Sequence, residues 1–176
     1  NVANASPCAD LVTALVALEA RARVLGVDGV PSERPVEALL RTDGGSALRH
    51  DEAIVEFVIP VLEREDRSAF VKIGVRTSVA VARLNAALVV SRNGPTATIG
   101  KARLAFGSLA PSSFRARLIA DSLSGQSLRR PCPPEFVDQC MDLVERSIPT
   151  RLSMPYKRLA IRGLAADLWD AIVSRV

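Results

Sequence analysis

The residue types that most often do chemistry are few in this chain of 176 residues, and they stand apart from one another. A single histidine, His50, excludes a metal site built on two histidines. The three cysteines are Cys8, Cys132 and Cys140. Their number is odd, and the gap between the last two matches neither a zinc ribbon nor an iron–sulfur loop. Asp51 and Glu52 are adjacent, so on a strand their carboxylates would point to opposite faces. These residues predict no catalytic group and no metal centre within the chain.

Several other functional classes are also excluded by pattern. The sequence contains no Walker loop, no G-x-G-x-x-G fingerprint and no G-x-S-x-G elbow. Its apolar runs are shorter than the roughly 20 residues that a spanning helix needs, so we expect no membrane span. The odd number of cysteines favours reduced thiols and a cytoplasmic location.

Composition and charge indicate a globular chain with two unlike halves. Apolar residues make up 48% of the sequence and charged residues 24%. Residues 1–67 carry seven Lys/Arg against twelve Asp/Glu, a balance of −5, and residues 68–176 carry sixteen against seven, a balance of +9. The basic residues are dispersed and only seven aromatic residues could stack on bases, so we expect no nucleic-acid binding. A solvated surface, or docking against the acidic half or an acidic partner, is the preferred interpretation.

The first 67 residues are predicted to form one helix and a few short elements. Ser6-Pro7 ahead of the apolar run 11–18 predicts a helix that Ser6 caps and that ends near Arg21. Two strands and one helical turn are predicted in the rest of this half, at residues 23–27, 51–60 and 36–40. The charged run 63–67 reads as a connector, and it places a domain boundary near residue 67.

The second half is predicted to be α+β, with a small antiparallel sheet backed by three helices. Residues 80–90 alternate with strand period, Asn93-Gly94-Pro95 turns the chain, and residues 96–106 return as the second strand of a hairpin. The first helix is expected after Pro111-Ser112-Ser113, carrying Phe114 and Leu118. The second and third helices are expected from Pro133 to Pro149 and after Pro155.

Five segments, in order along the chain, resemble the FAD-binding subunit of the xanthine dehydrogenase family, the molybdenum hydroxylases. Residues 1–10 are similar to the segment N-x-x-x-x-S-P-x-x-D, which follows a pair of glycines in that family. Residues 51–60 are similar to its E-E-I-x-x-x-x-I-P strand, and residues 70–76 to its F-x-K-x-x-x-R stretch. Residues 102–111 are similar to its A-R-L-A-F-G-G-x-A-P hairpin exit, and residues 153–158 to its S-x-x-Y-R-R helix start.

The resemblance implies both a fold and a function. Residues 1–67 would be the second half of a PCMH-type FAD-binding domain, and residues 68–176 the C-terminal domain of the flavoprotein. The cofactor would be FAD, relaying electrons from iron–sulfur clusters to NAD or another acceptor. Molybdopterin and [2Fe–2S] clusters would lie on partner subunits. The resemblance also implies that the N-terminal half of the FAD domain, with its Gly-rich phosphate loop, is missing, so that this fragment alone would hold FAD weakly or not at all and would be inactive. The alternative is a truncated, flavin-free assembly module of such a complex.

Four residues occupy positions that the resemblance assigns to the cofactor. Asn1 would lie where the family's turn meets the flavin, and Ile54 would offer backbone and apolar contact to the flavin ring. Asp10 would accept hydrogen bonds from ribityl or ribose hydroxyls, or alternatively only complement the positive end of its own helix. Lys72 would place an ammonium near the flavin, or alternatively be a solvated lysine at a strand end.

The sequence departs from the family pattern at two places. Many relatives have acidic residues where this chain has Thr77-Ser78-Val79, which weakens inference about the electron acceptor. Ser108 stands where the family has the second glycine after the hairpin, and that difference concerns backbone freedom at a turn.

Overall fold

The computed structural model of the protein describes residues 1–76, 80–94 and 97–174. Its elements, in chain order, are α1 (Asp10–Ala17), β1 (Arg21–Leu25), β2 (Pro31–Pro35), a 3-10 turn (Val36–Leu39), β3 (Ala53–Val58), β4 (Asp66–Gly74), β5 (Ala82–Arg92), β6 (Ile99–Gly107), β7 (Phe114–Arg115), α2 (Arg117–Ser122), α3 (Pro134–Ser147) and α4 (Met154–Val173).

The strands form two antiparallel sheets. The first has three strands in the order β2-β1-β3, and the second has four in the order β4-β5-β6-β7. Helices α2, α3 and α4 follow the second sheet in sequence, and α4 packs on β4, β5 and α3. The prediction of a small antiparallel sheet backed by three helices is therefore confirmed.

Strands β5 and β6 are buried on both faces over much of their length, which explains the continuous apolar runs 86–90 and 104–106. One face carries large residues that pack with Ile161 and Trp169 of α4; these residues are Leu84, Leu88, Val90, Leu104 and Phe106. The opposite face carries the small residues Ala87, Val89 and Ala105, which pack with Val12 and Val16 of α1. Because small side chains face α1, this helix lies close to the sheet, and the site described below depends on that approach.

Helix α1 is shorter than predicted and is not capped by Ser6. Ala9 is the residue before the helix, no side chain caps it, and the last helical residue is Ala17. The Ser6 hydroxyl lies 3.2 Å from the Cys8 thiol instead. Pro7 and Cys8 therefore precede the helix as part of a turn, and Asp10 supplies the negative charge in the first helical turn.

The predicted helix after Pro111 begins later than expected. Phe114 lies in β7, where it pairs with Phe106, and the backbone N–H of Ala116 donates to the carbonyl of Leu104. Pairing with an available edge of β6 therefore overrides the local cap signal at Ser112-Ser113, and α2 starts at Arg117. In the predicted hairpin turn, Pro95 lies outside the described residues.

The charged connector predicted at residues 63–67 is partly strand. Asp66 and Arg67 begin β4, where Arg67 pairs with Val90. None of the helices within the described ranges is long and apolar enough to span a membrane.

Ion pairs link the acidic first half to the basic second half. The guanidinium of Arg115 contacts Glu19 at 2.6 Å and Glu37 at 2.5 Å, and Arg103 contacts Glu19 at 3.2 Å. All four charged residues of this cluster are partly buried. For Arg103 and Arg115, docking against the acidic half is thus the interpretation that the structure supports.

Candidate functional site

Two of the four predicted site residues meet at one place. Asp10 opens α1, Lys72 lies on β4, and the Lys72 Nζ donates to Asp10 Oδ2 at 2.6 Å although 62 residues separate them. The same ammonium donates to the carbonyl of Ala80 at 3.2 Å. About a third of each side chain stays exposed, 35% for Asp10 and 36% for Lys72. The pair therefore forms a charged rim that a ligand can reach.

A buried polar chain supports this rim from inside. The amide nitrogen of Asn85, a residue with no exposed surface, donates to Asp10 Oδ1 at 2.8 Å. Its amide oxygen accepts the Thr13 hydroxyl at 2.8 Å, and the Thr13 hydroxyl lies 3.0 Å from that of Ser113. Since the one proton of Thr13 points to Asn85, the Ser113 hydroxyl donates to Thr13. Three consecutive donors thus point towards the Asp10 carboxylate.

Gly107, the last residue of β6, leaves the space that this chain occupies. A Cβ at Gly107 would lie closer than 3.0 Å to Asn85 Oδ1 and 2.5 Å from Thr13 Oγ1. Real Cβ atoms do not approach other atoms so closely. The absence of a side chain at Gly107 is therefore a condition for the contact between α1 and β5 at this point.

The Asp10–Lys72 rim retains capacity for a ligand. Each carboxylate oxygen has two lone-pair sites, and the described contacts use one on each oxygen. The ammonium has three donors, two of which have partners within the described ranges. The arrangement can therefore accept hydroxyl groups at Asp10 and stabilise negative charge beside Lys72.

The other two predicted site residues lie elsewhere. Asn1 is exposed at the start of the chain, next to the buried Val2. Ile54 is half-buried on β3 and pairs with Val24 of β1, so it lies in the three-stranded sheet, whereas Lys72 lies in the four-stranded sheet. The described hydrogen bonds and ion pairs join neither of them to Asp10 or Lys72. Their predicted contacts with a cofactor stay predictions.

A cavity of about 730 Å³ opens beside the end of β4. Its walls include Gly74, Cys8 and Ser108, together with three cations, Arg83, Arg151 and Lys157. Lys157 is only 8% exposed. Burial, followed by the charges of Arg151 and Arg83, lowers the pKa of Lys157 below its ordinary value of 10.5. The cavity is thus lined by positively charged side chains, and it lies at the end of the strand that carries Lys72.

Ser108 connects three distant segments at the wall of this cavity. Its backbone is in the left-handed region, at a φ of 67°, which disfavours a non-glycine residue. Its N–H donates to the carbonyl of Pro7 at 2.7 Å, and its hydroxyl donates to the carbonyl of Ala82 at 3.1 Å. Its own carbonyl accepts the Lys157 ammonium. The serine therefore adds a hydrogen bond through its hydroxyl at a backbone conformation that favours glycine.

Asn85 and Lys157 were not identified as site residues from the sequence, although both leave a signal. Asn85 is a polar residue inside the apolar strand β5, and Lys157 stands four residues before Ile161 on the buried stripe of α4. A polar group on a buried face requires partners, and those partners show where the chain packs.

Two of the three cysteines are removed from solvent, Cys140 fully and Cys132 in part. Burial raises the pKa of the Cys140 thiol to about 12, with a further effect of Cys132. Burial also raises the pKa of Cys132 to about 11, with a further effect of Asp170. Both thiols therefore remain protonated at neutral pH and are poor nucleophiles.

Residues 69–172 match the family described as CO dehydrogenase flavoprotein C-terminal domain. A curated relative, xanthine dehydrogenase from Blastobotrys adeninivorans, is 27% identical over 187 residues, an alignment that covers 100% of this chain and 13% of that protein.

Solved structures share the fold over nearly the whole chain. Cu,Mo-CO dehydrogenase in its cyanide-inactivated form superposes with a TM-score of 0.83 at 18% identity, covering 99% of this chain and 60% of the other. CO dehydrogenase from Hydrogenophaga pseudoflava gives 0.81 at 22% identity, covering 99% and 59%. Quinoline 2-oxidoreductase from Pseudomonas putida 86 gives 0.78 at 16% identity, covering 98% and 59%. The chain thus spans about three-fifths of each matched structure, and these identities establish the fold alone.

Proposed function

The chain belongs to the CO dehydrogenase flavoprotein C-terminal domain family, and from that membership we propose that it forms part of the flavin-binding subunit of a molybdenum hydroxylase. The observation that carries the proposal is the Asp10–Lys72 rim. Two residues that the resemblance assigns to the cofactor, on elements distant in sequence, meet in the fold, with Lys72 Nζ 2.6 Å from Asp10 Oδ2.

The donor and acceptor set of the rim fits FAD. When bound, FAD supplies a two-electron carrier. The free lone pairs of the Asp10 carboxylate suit the hydroxyl groups of a ribityl or ribose chain. The ammonium of Lys72 suits an electron-rich ring edge, where it stabilises negative charge. Asn1 and Ile54 complete the proposed set, as a turn contact and an apolar contact respectively.

We propose the following place for the subunit in a larger complex. Electrons arrive from [2Fe–2S] clusters on an iron–sulfur subunit, which receives them from a molybdopterin subunit, and they leave to NAD or another acceptor. The oxidised substrate would meet the molybdopterin subunit, and residues 1–176 alone would be inactive. All three cysteines are free thiols, which favours a cytoplasmic complex.

Lys72→Met in the flavin-loaded subunit tests this proposal. At an effective dielectric constant of about 20, two unit charges about 4 Å apart attract by about 4 kcal/mol, and solvent and the nearby Asp10 carboxylate should leave about 1–2 kcal/mol. Since about 1.4 kcal/mol corresponds to about 30 mV for a two-electron couple, we expect the midpoint potential of the bound flavin to fall by about 20–40 mV. Potentiometric titration monitored by flavin absorbance measures it.

Arg76→Met is the matched control, because it removes the same charge four residues further along the same segment. We expect a smaller shift for this variant. Equal potentials for Lys72→Met and the unmodified subunit, with FAD retained in both, would mean that Lys72 is a solvated lysine. A purified subunit that takes up no FAD at all would favour the flavin-free assembly module instead.

We also propose that residue 67 separates two domains, residues 1–67 and 68–176. The larger hydrophobic cluster is built entirely from residues 69–172, so the second part carries its own core. Expressed from residue 68, it should unfold in one cooperative thermal transition, measured by circular dichroism. Loss of α1 exposes the small apolar side chains Ala87, Val89 and Ala105 on the opposite face of the sheet, together with the polar Asn85, which water can then solvate. A broad transition with binding of a hydrophobic dye would instead place the boundary elsewhere.

A further inference from the structure

We propose that Asn85 is a positioning residue of the flavin site, held in its active orientation by the hydroxyl of Thr13. This inference rests on the proposed function, because it assigns a role at the rim formed by Asp10 and Lys72. Asn85 itself has no exposed surface, so it reaches a ligand only through Asp10.

The two oxygens of Asp10 are held from opposite sides. Asn85 donates to Oδ1 at 2.8 Å from the interior, and Lys72 donates to Oδ2 at 2.6 Å at the surface. These two contacts restrain the carboxylate at both oxygens, and the described contacts leave one lone-pair site on each oxygen for a ligand. Since Lys72 takes its position from Asp10, a change at Asn85 affects both members of the rim.

The Asn85 amide could adopt two orientations related by a half-turn, and only one supports Asp10. With nitrogen towards Asp10, the amide donates to a carboxylate; with oxygen towards Asp10, it presents an acceptor to an anion. The Thr13 hydroxyl selects the first orientation, because it donates to Asn85 Oδ1 at 2.8 Å. Ser113 secures the direction of that hydroxyl by donating to it across 3.0 Å. Thr13 thus sets the orientation of the Asp10 carboxylate through two successive hydrogen bonds, one to Asn85 and one from Asn85 to Asp10.

Burial makes this selection strong. Thr13 and Asn85 are fully buried and Ser113 is 3% exposed, so water does not compete for their hydrogen bonds. The space for the amide exists because Gly107 has no Cβ. A buried donor or acceptor that loses its partner is costly, so the chain keeps one arrangement.

Two substitutions at Thr13 separate this role from packing. Thr13→Val keeps the shape of the side chain and removes the hydroxyl, whereas Thr13→Ser keeps the hydroxyl and removes the methyl group. We expect Thr13→Val to weaken FAD binding about tenfold and Thr13→Ser to leave it within about twofold of the unmodified chain. A packing role predicts the reverse order.

The measurement is a nuclear magnetic resonance titration of the isotope-labelled full chain with FAD, which also follows weak binding. The side-chain amide signal of Asn85 provides a readout that needs no flavin. We expect slow hydrogen exchange at that amide in the unmodified chain and in Thr13→Ser, and faster exchange in Thr13→Val. Val89→Ala is the matched control. Val89 lies on the same face of β5 as Asn85 and packs against α1, but it has no hydrogen bond to Asp10. It should change neither readout.

The outcomes distinguish this inference from the function on which it rests. If the unmodified chain binds FAD and Thr13→Val binds it equally well, Asn85 is a structural residue and the positioning role is wrong. If FAD perturbs no signal of the unmodified chain up to millimolar concentration, these residues do not hold FAD by themselves, and the exchange rate of the Asn85 amide then decides the positioning role. Equal rates in the unmodified chain and in Thr13→Val would make that role wrong. Weaker binding in Thr13→Val, with Thr13→Ser and Val89→Ala unaffected, supports the assignment.

Discussion

Gly107→Ala is expected to lower the free energy of unfolding by about 3 kcal/mol. The new methyl group would collide with the amide of Asn85 and the hydroxyl of Thr13, both fully buried. Overpacking of a core costs about 1–3 kcal/mol, and displacement of a buried hydrogen-bonding group costs about 1–3 kcal/mol more. Denaturant unfolding followed by circular dichroism measures the change.

Gly163→Ala is the matched control for this substitution. Gly163 lies within α4, and a Cβ there meets no atom within 4 Å. Because alanine favours a helix over glycine, this variant should be more stable by about 0.5–1 kcal/mol.

A double variant tests the collision itself. Asn85→Ala combined with Gly107→Ala should cost less stability than the two single changes added together, since the first removes one of the colliding groups. Simple additivity would show that the collision does not dominate.

Arg115→Met is expected to cost about 2 kcal/mol of stability. Its guanidinium bonds two carboxylates at 2.5–2.6 Å, and its side chain is 23% exposed. Loss of the shared cation leaves Glu19 paired with Arg103 and Glu37 paired only with the exposed Arg117. Both carboxylates stay about a third exposed and are partly screened by water. Equilibrium denaturation at neutral pH measures the loss.

Arg117→Met removes a cation from the same cluster with much less consequence. Arg117 is 65% exposed and its contact with Glu37 is 3.4 Å, so we expect a change below about 0.5 kcal/mol. If the two variants were equally destabilised, net charge rather than the bridging geometry of Arg115 would explain the effect.

The same cluster gives stability a pH dependence. Burial by itself raises the pKa of Glu19, but the hydrogen bond from Arg103 and the charges of Lys101, Arg103 and Arg115 outweigh it, and the pKa falls below its ordinary 4.5. A lowered carboxyl pKa contributes stability that is present above pH 4.5 and is lost as the pH falls through the lowered value. The cluster therefore supports the contact between the two halves at neutral pH.

Helices and strands with a regular apolar period could be predicted from the sequence. Short strands that form only because a neighbouring strand offers an edge could not. The long strands β5 and β6 and the helices α3 and α4 show clear periods over nine or more residues. Strand β2 has no apolar alternation and carries proline at both ends. Such a sequence is compatible with an edge strand but does not predict one. Strand β7 has two residues and exists because β6 offers an edge there.

The candidate site was only partly predictable for a different reason. Asp10 and Lys72 were selected by resemblance, because a sequence separation of 62 gives no spacing signal. Asn85 could have been noticed as a polar residue in an apolar strand, but its partners Thr13 and Asp10 lie on a helix whose docking the sequence does not specify. Local patterns therefore predict elements, whereas the contacts between α1 and the second sheet decide the site.

The separation in sequence between α1 and its sheet has a consequence for the order of folding. Strands β4, β5 and β6 are consecutive, so their pairings close short loops and form early. Thr13 meets Asn85 across 72 residues and Ser113 across 100, contacts whose closure costs more entropy. We therefore expect α1 to dock on a sheet that is already formed, and the polar chain that ends at Lys72 to be completed by that late event. Slow or incomplete docking would then leave a molecule with its second sheet intact and its ligand site unformed.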